Sequence, residues 1–236
     1  MIQTLYIARH GFRSSWSTGD RTDRNDPLSE LGLTQAQDLA TYLASLAEDK
    51  RPTAIFSSPF KRCLQTSRPT SNALGVPIYV DHWISEWYSD LTAGKGVKQP
   101  EPPNPSANIL KEDFPEIDAD AWSNLWYPPS TGENIAQITD RMSTFLSRFI
   151  PQVETTLSPE KHERILIVTH AAPVIALVRN LLRETESRVK PGCCSISEFE
   201  RNSNSDSKEV EWSPKRVGDC AHVSGDIREW GFEDYY

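Results

Sequence analysis

Two histidines and three arginines are the residues of this sequence best placed for chemistry. His10 follows Leu5-Tyr6-Ile7-Ala8-Arg9, and His170 follows Ile165-Leu166-Ile167-Val168-Thr169. Both runs read as short buried strands, so each histidine closes a strand at its C-terminal end. In an open parallel sheet, ligands bind outside those ends. Arg9 and Arg13 bracket the first histidine. Arg62 lies one turn into the helix after the second strand and can point at the same sheet end. Guanidinium forks match phosphate oxygens in bidentate geometry and stay charged. Together these side chains describe a phosphate pocket.

The elements that must hold that pocket are legible in turn. Leu5 to Ala8 is the first strand. Residues 12–28 are polar and end on Pro27-Leu28, which reads as a loop. A helix begins near Leu31, with Thr34 as its expected N-cap and Ala36, Leu39, Ala40, Leu43 and Leu46 at helical spacing. Ala54 to Ser57 is a second strand. A helix from about Phe60 to Leu74 ends before Gly75. Val76 to Val80 is a third strand, placed near an edge by Pro77. This β-α-β-α-β order calls for a parallel sheet with helices on both faces.

The pattern breaks between Asp81 and Thr131, a stretch rich in proline that carries Trp83, Trp87, Trp122 and Trp126. So many indoles argue for an inserted subregion packed by aromatics. Ile135, Ile138, Met142, Phe145, Leu146 and Phe149 then mark a long amphipathic helix that Pro151 should end or bend. Glu133 reads as a helix-start charge favoured by the dipole. After the strand that His170 closes, a helix spans Pro173 to Leu182. Ser195 to Glu200 and Glu209 to Trp212 read as a hairpin around a polar turn, and residues 220–236 read as irregular. The expected architecture is three-layer α/β/α around a mostly parallel sheet. It is one domain over residues 1–236, lidded by 81–132.

Bulk properties narrow the function. The composition, 37% hydrophobic and 25% charged, is that of an ordinary soluble protein. A net charge of -8 argues against direct nucleic-acid binding. No stretch has the length and apolarity of a membrane span, and the first residues lack the flank of a signal peptide. The expected location is intracellular, in cytoplasm, nucleus or both. Cys63, Cys193, Cys194 and Cys220 form no spaced framework and no metal pattern, so they are expected as reduced, bland thiols. His82, His162 and His222 fall in no motif and are expected to be structural or exposed.

The motifs resemble those of a known family. Arg9-His10-Gly11 is similar to the Arg-His-Gly signature of the histidine phosphatase superfamily, which includes the phosphoglycerate mutases. Pro27-Leu28-Ser29-Glu30-Leu31-Gly32 resembles its segment before the first helix. The run Ser57 to Thr66 resembles its second signature, with Arg62 as the phosphate-binding arginine. Val168-Thr169-His170 resembles its third. The resemblance implies a phosphoglycerate mutase-like fold in which His10 attacks phosphorus and forms a phosphohistidine. Arg9, Arg13, Arg62 and His170 would hold the phosphoryl oxygens, with no metal or other cofactor. It also implies a proton donor early in the insertion, which Glu86 in Trp83-Ile84-Ser85-Glu86-Trp87-Tyr88 fits. The flanking indoles should raise its pKa.

Ala171-Ala172 after His170, together with Arg13, departs from the metabolic mutases. Those features and the aromatics around Glu86 resemble a protein-phosphatase-like subgroup. That subgroup includes the suppressor-of-T-cell-signalling phosphatases and the phosphatase domain in a small subunit of transcription factor TFIIIC. The implied activity is a phosphomonoesterase acting on a phosphorylated small molecule or phosphopeptide, with a phosphotyrosine-like or other aryl phosphoester as the substrate class. Two readings stand beside it. One is a TFIIIC-type subunit whose fold serves assembly, in a protein complex or as a homodimer. The other is a mutase or sugar-bisphosphate phosphatase, for which Lys95, Lys98 and Lys111 supply a thin second anion site.

Overall fold

The computed structural model describes residues 1–19, 23–89, 105–122, 124–129, 131–157, 162–202 and 211–234. Six strands form one mixed sheet in the order β3-β2-β4-β1-β5-β6. The central strands are β1 (Thr4–Arg9), β2 (Ala54–Ser57), β3 (Ile78–Val80) and β4 (Arg164–Thr169). Their pairings β1–β4, β2–β4 and β2–β3 are parallel. The hairpin of β5 (Ile196–Arg201) and β6 (Trp212–Asp219) adds on antiparallel to β1. Strand β3 lies at an edge, as Pro77 requires.

Alternation along the strands divides the core in two. Leu5, Ile7, Phe56, Ile165 and Ile167 pack under α5 (Ile135–Thr156) and α6 (Ala171–Leu182). Tyr6, Ala8, Ile55, Leu166 and Val168 face the opposite layer, which α2 (Glu30–Ser45) and α3 (Lys61–Leu74) cover. The parallel strands therefore read as continuous apolar runs because both faces are buried.

Several boundaries differ from the expectations. The polar loop after β1 contains a short helix, α1 (Ser14–Thr18), closed by Gly19 at a φ of 76°. Ser29, not Thr34, caps α2: its side chain accepts from Gly32 N at 3.1 Å, and Thr34 lies inside the helix. Helix α5 continues through Pro151 to Thr156, held by the buried Ile150 and Val153. Its start is capped by an Asn134–Gln137 capping box, so Glu133 does not serve as a dipole charge there. Glu133 is buried instead and pairs with Arg141 Nε at 3.1 Å. Strand β6 begins where the expected last strand ended. The expected strand's residues 209 and 210, and most of the turn before it, lie outside the described residues.

The segment after β3 is tied to the sheet edge and to α5 by bridges from Ile78 to Ile117, Asp81 to Asn124 and Ser89 to Glu133. It contains a 3-10 turn at His82–Ile84 and helix α4 (Ala107–Leu110). Trp122 is buried against Phe56 and Phe149, and Trp83 meets Trp126 in a tilted pair. Lys95 and Lys98 lie outside the described residues, and Lys111 is exposed at the end of α4. Among the described residues, no helix is long and apolar enough to cross a membrane.

Candidate active site

Strands β1 and β4 are parallel neighbours in matched register, Arg9 opposite Thr169. The residues that follow them, His10 and His170, are therefore brought side by side. His10 N donates to Thr169 O at 2.9 Å, and the two imidazoles meet edge-on with centroids 5.3 Å apart. Both are buried. Gly11 fits here because of close backbone approach: a Cβ on it would lie 2.7 Å from Gly32 O. Gly32 is still tighter, since its Cβ would lie 2.0 Å from Phe12 O. The two glycines let the start of α2 press against the chain leaving β1.

His10 Nδ1 faces the Gly11 carbonyl at 2.7 Å. A proton on Nδ1 satisfies that carbonyl and leaves Nε2 as the free base. Burial, then the nearby Arg62, His170 and Arg9, holds His10 well below its ordinary pKa, so it is neutral at neutral pH. Burial, aided by Arg62 against the pull of Glu86, lowers His170 to about 4. Its Nε2 meets Ser58 Oγ at 2.8 Å, and its Nδ1 meets Arg62 Nη2 at 3.1 Å and Glu86 Oε2 at 3.3 Å.

Arg62 is 1% exposed and reaches the centre from the first turn of α3. Its Nη2 donates to Glu86 Oε2 at 3.0 Å and its Nη1 to Arg24 O at 3.0 Å. Its Nε is buried with no hydrogen-bond partner among the described residues. Arg9 Nη1 donates to the carbonyls of Pro191 (2.8 Å) and Arg228 (2.7 Å), and its Nε likewise has no hydrogen-bond partner among the described residues. Buried guanidinium donors without acceptors are costly, and an anion is what they lack. Arg13 stands nearer the rim, 20% exposed, with Nε and Nη2 on the Asp26 carboxylate at 3.0 and 2.7 Å.

Glu86 is 26% exposed and joins this cluster, but its expected pKa direction is overturned. Burial does push its carboxyl up, yet His170 and Arg62 outweigh that and bring it well below the usual carboxylate range. The reason is geometric. Trp87 turns its indole to the Glu133 carbonyl and to Trp230 and Phe232, while the carboxylate points at Arg62 and His170.

Ligand atoms of His10, Glu86 and His170 lie within 4.8 Å of one another, close enough to share a metal ion. The arginines oppose that use. Arg62 Nη2 already occupies both Glu86 and His170, and a divalent cation would sit beside its fixed charge. The electrostatic fit is to an anion.

All six expected residues converge at this one sheet end. Others were not legible as members. Asp26 holds Arg13. Ser58 meets His170. Trp16 lies 6.0 Å from His10, centroid to centroid. Cys63, expected to be bland, has its Sγ 3.5 Å from His170 Nε2, with burial pushing the thiol up to about 12. Cys193, Cys194 and Cys220 are free thiols whose pKa values burial also raises. His82 is buried against the Asn124 carbonyl, His162 meets Tyr79, and His222 stacks on Tyr42.

The wider comparisons agree with this geometry. Residues 5–211 match the family model of the histidine phosphatase superfamily, branch 1. The chain is 36% identical over 219 residues to the transcription factor tau 55 kDa subunit of Saccharomyces cerevisiae, covering 85% of this chain and 48% of that subunit. It thus spans about half of that relative's length. It is 25% identical over 182 residues to the metal-independent phosphoserine phosphatase of Arabidopsis thaliana, covering 75% of this chain and 67% of that one. Its fold matches that of mycobacterial glucosyl-3-phosphoglycerate phosphatase complexed with VO3 at a TM-score of 0.60 and 20% identity, over 91% of this chain and 98% of the other. A family model that spans most of the chain, and a sheet that sets His10 beside His170 among arginines, lead to one conclusion: the chain belongs to branch 1 of the histidine phosphatase superfamily.

Proposed function

We propose that this chain is a metal-independent phosphomonoesterase that works through a phosphohistidine on His10, with an aryl phosphoester as its substrate class. The observation that carries the reading is the pairing of a neutral, oriented imidazole with unpartnered buried guanidinium donors. His10 Nδ1 is fixed on the Gly11 carbonyl, while Arg9 Nε and Arg62 Nε have no acceptor among the described residues. In this reading the chain is a single phosphatase domain, and residues 81–132 lid the site.

In the first step, the Nε2 lone pair of His10 forms a bond to phosphorus as the ester P–O bond breaks. Arg9, Arg13, Arg62 and His170 hold the phosphoryl oxygens and answer the charge that spreads over them. Glu86 gives the leaving oxygen its proton. In the second step, water loses a proton to Glu86, attacks phosphorus and breaks the P–N bond, which returns the free imidazole. Glu86 is held ionised in the free enzyme, so its proton must arrive with the substrate anion or from mildly acidic solvent. His10 stays neutral below the ordinary histidine range, which permits an acidic optimum.

Hydrolysis of 4-nitrophenyl phosphate with EDTA present tests the core claim. Wild type should turn over undiminished by the chelator, and His10→Ala should lose about three orders of magnitude or more. Activity abolished by EDTA, or retained in His10→Ala, would sink the proposal. The tau 55 kDa relative supports a second role, as a subunit of a nuclear protein assembly. Co-purification of the chain with a large complex, unaffected by His10→Ala, would show that the two roles coexist.

A further inference from the structure

The family match ends at residue 211, yet the structure folds a later segment back onto the site. Residues 224–232 leave the sheet after β6 and are anchored on three sides. Gln35 Nε2 donates to the carbonyls of Ser224 (3.1 Å) and Asp226 (2.9 Å), and Cys193 N donates to Ile227 O. Trp230 and Phe232 pack on Trp87, one residue from Glu86. Between these anchors Arg228 is held with its N–H on Asp226 Oδ1 at 2.9 Å and its carbonyl on Arg9 Nη1 at 2.7 Å. Its backbone sits at a φ of 40°, a left-handed conformation that side-chain-bearing residues seldom adopt and that the surrounding contacts must enforce.

That conformation aims the exposed side chain at the site mouth. The Arg228 guanidinium lies 4.7 Å over the Trp16 ring, which also carries Arg9 at 5.4 Å and Arg13 at 5.5 Å. Trp16 is half-buried and stands 6.0 Å from the His10 ring. The two steps of 6.0 and 4.7 Å put Arg228 within about 11 Å of His10, at the outer edge of the same opening.

The charges are unevenly answered. Arg13 has Asp26, and Arg62 has Glu86. Among the described residues, Arg9 and Arg228 pair with no carboxylate, and they stand close enough to repel each other. Arg9 faces the phosphoryl position. Arg228 lies outside it, beyond the indole. We propose that Arg228, seated on Trp16, is a substrate-binding residue that takes a second anionic group carried by the leaving side of the phosphoester, a carboxylate or another phosphate. The inference rests on the phosphatase reading for what occupies the inner site. Its physical basis is separate: an uncompensated cation on a rigid aromatic platform, placed by a segment beyond the family match.

The test is binding, measured by titration calorimetry on the full chain carrying His10→Ala, so that turnover does not intervene. The probes are two phosphotyrosine peptides, one with glutamate and one with glutamine at both flanking positions. The acidic peptide should bind roughly three- to tenfold tighter at low salt, and the preference should shrink as salt rises. Adding Arg228→Gln should bring the ratio to about one, and Arg228→Lys should restore part of it. The ratio is the readout because it cancels any general effect of the variant on the tail. An equal affinity for the two peptides, a preference that survives Arg228→Gln, or no binding of either peptide overturns the proposal. A wild type that hydrolyses neither these peptides nor 4-nitrophenyl phosphate but keeps the Arg228-dependent preference overturns the phosphatase reading alone.

Discussion

Asp81 and Glu86 leave β3 on the same short segment and meet opposite surroundings. Asp81 is fully buried and answered by neutral donors: Trp83 N at 2.9 Å, Trp122 Nε1 at 3.2 Å and Asn124 Nδ2 at 3.3 Å. Burial outweighs those bonds and raises its carboxyl to about 6. Glu86 faces His170 and Arg62, and its carboxyl falls instead. Aromatic neighbours desolvate a carboxyl, but His170 and Arg62 within hydrogen-bond reach decide the sign of the shift. The segment thus presents one carboxyl to the core and one to the proposed chemistry.

Arg62→Ala should break the contrast with the largest effect. Loss of a buried donor to the phosphoryl group should lower kcat/KM for an aryl phosphate by about two to three orders of magnitude. Without that cation the Glu86 carboxyl should rise toward the behaviour of Asp81. The falling limb of the pH–rate profile should therefore move to higher pH. A limb that stays in place would mean that Arg62 does not set the Glu86 proton affinity.

Asp81→Asn probes the other side through stability. The folded-state value near 6 exceeds the ordinary 3.8, so the folded chain holds this proton more tightly than the unfolded chain. The contribution to stability is full below about 3.8 and is lost as pH rises through about 6. The stability of wild type relative to Asp81→Asn should fall by on the order of 3 kcal/mol between those limits. Denaturant unfolding at both ends of the window measures it, and a constant difference would show that Asp81 titrates normally.

What the sequence made legible follows the same divide. His10, Arg9, Arg62 and His170 were readable because strand ends and the first turn of the following helix fix where such residues go. The apolar runs before them also mark strands buried on both faces of the sheet. The pKa direction of Glu86 was not readable, because adjacency to tryptophan in the chain does not say which way an indole turns. Nor were the partners set by long closures: Pro191 and Arg228 for Arg9, Asp26 for Arg13, Arg141 for Glu133. Hydrophobic spacing marks a helix face but not its first residue, so it points to Thr34, whereas Ser29 Oγ accepts from Gly32 N and caps the helix.

Glu86→Gln sharpens the contrast from within the site. The variant keeps the shape and loses the proton, so hydrolysis of alkyl phosphates should fall about tenfold to a hundredfold. Hydrolysis of 4-nitrophenyl phosphate, whose leaving group needs little protonation, should fall less. Equal losses on both would point to a packing role for Glu86.

Asp26 is the intermediate case, a buried carboxylate that serves a rim cation rather than being served by one. It accepts from Arg13 Nε and from Ser15 N and is ion-paired with Arg13 Nη2, which ties the start of α1 to the arginine. Arg13 is partly open to solvent, so in the proposed reaction its hold on a phosphate oxygen would be weaker than that of Arg62 and would depend on being aimed. Asp26→Asn removes the charge that completes the fork but leaves a polar group of the same size. The expected result is a rise in KM of about threefold to tenfold with little change in kcat, the signature of lost uniform binding. Because Asp26 would act through Arg13, Arg13→Ala should have nearly the same effect, and the double variant should be little worse than either single one. Additive losses in that cycle would show that Asp26 shapes the site by another route, through Ser15 or through Arg62, whose Nη1 lies 3.8 Å away.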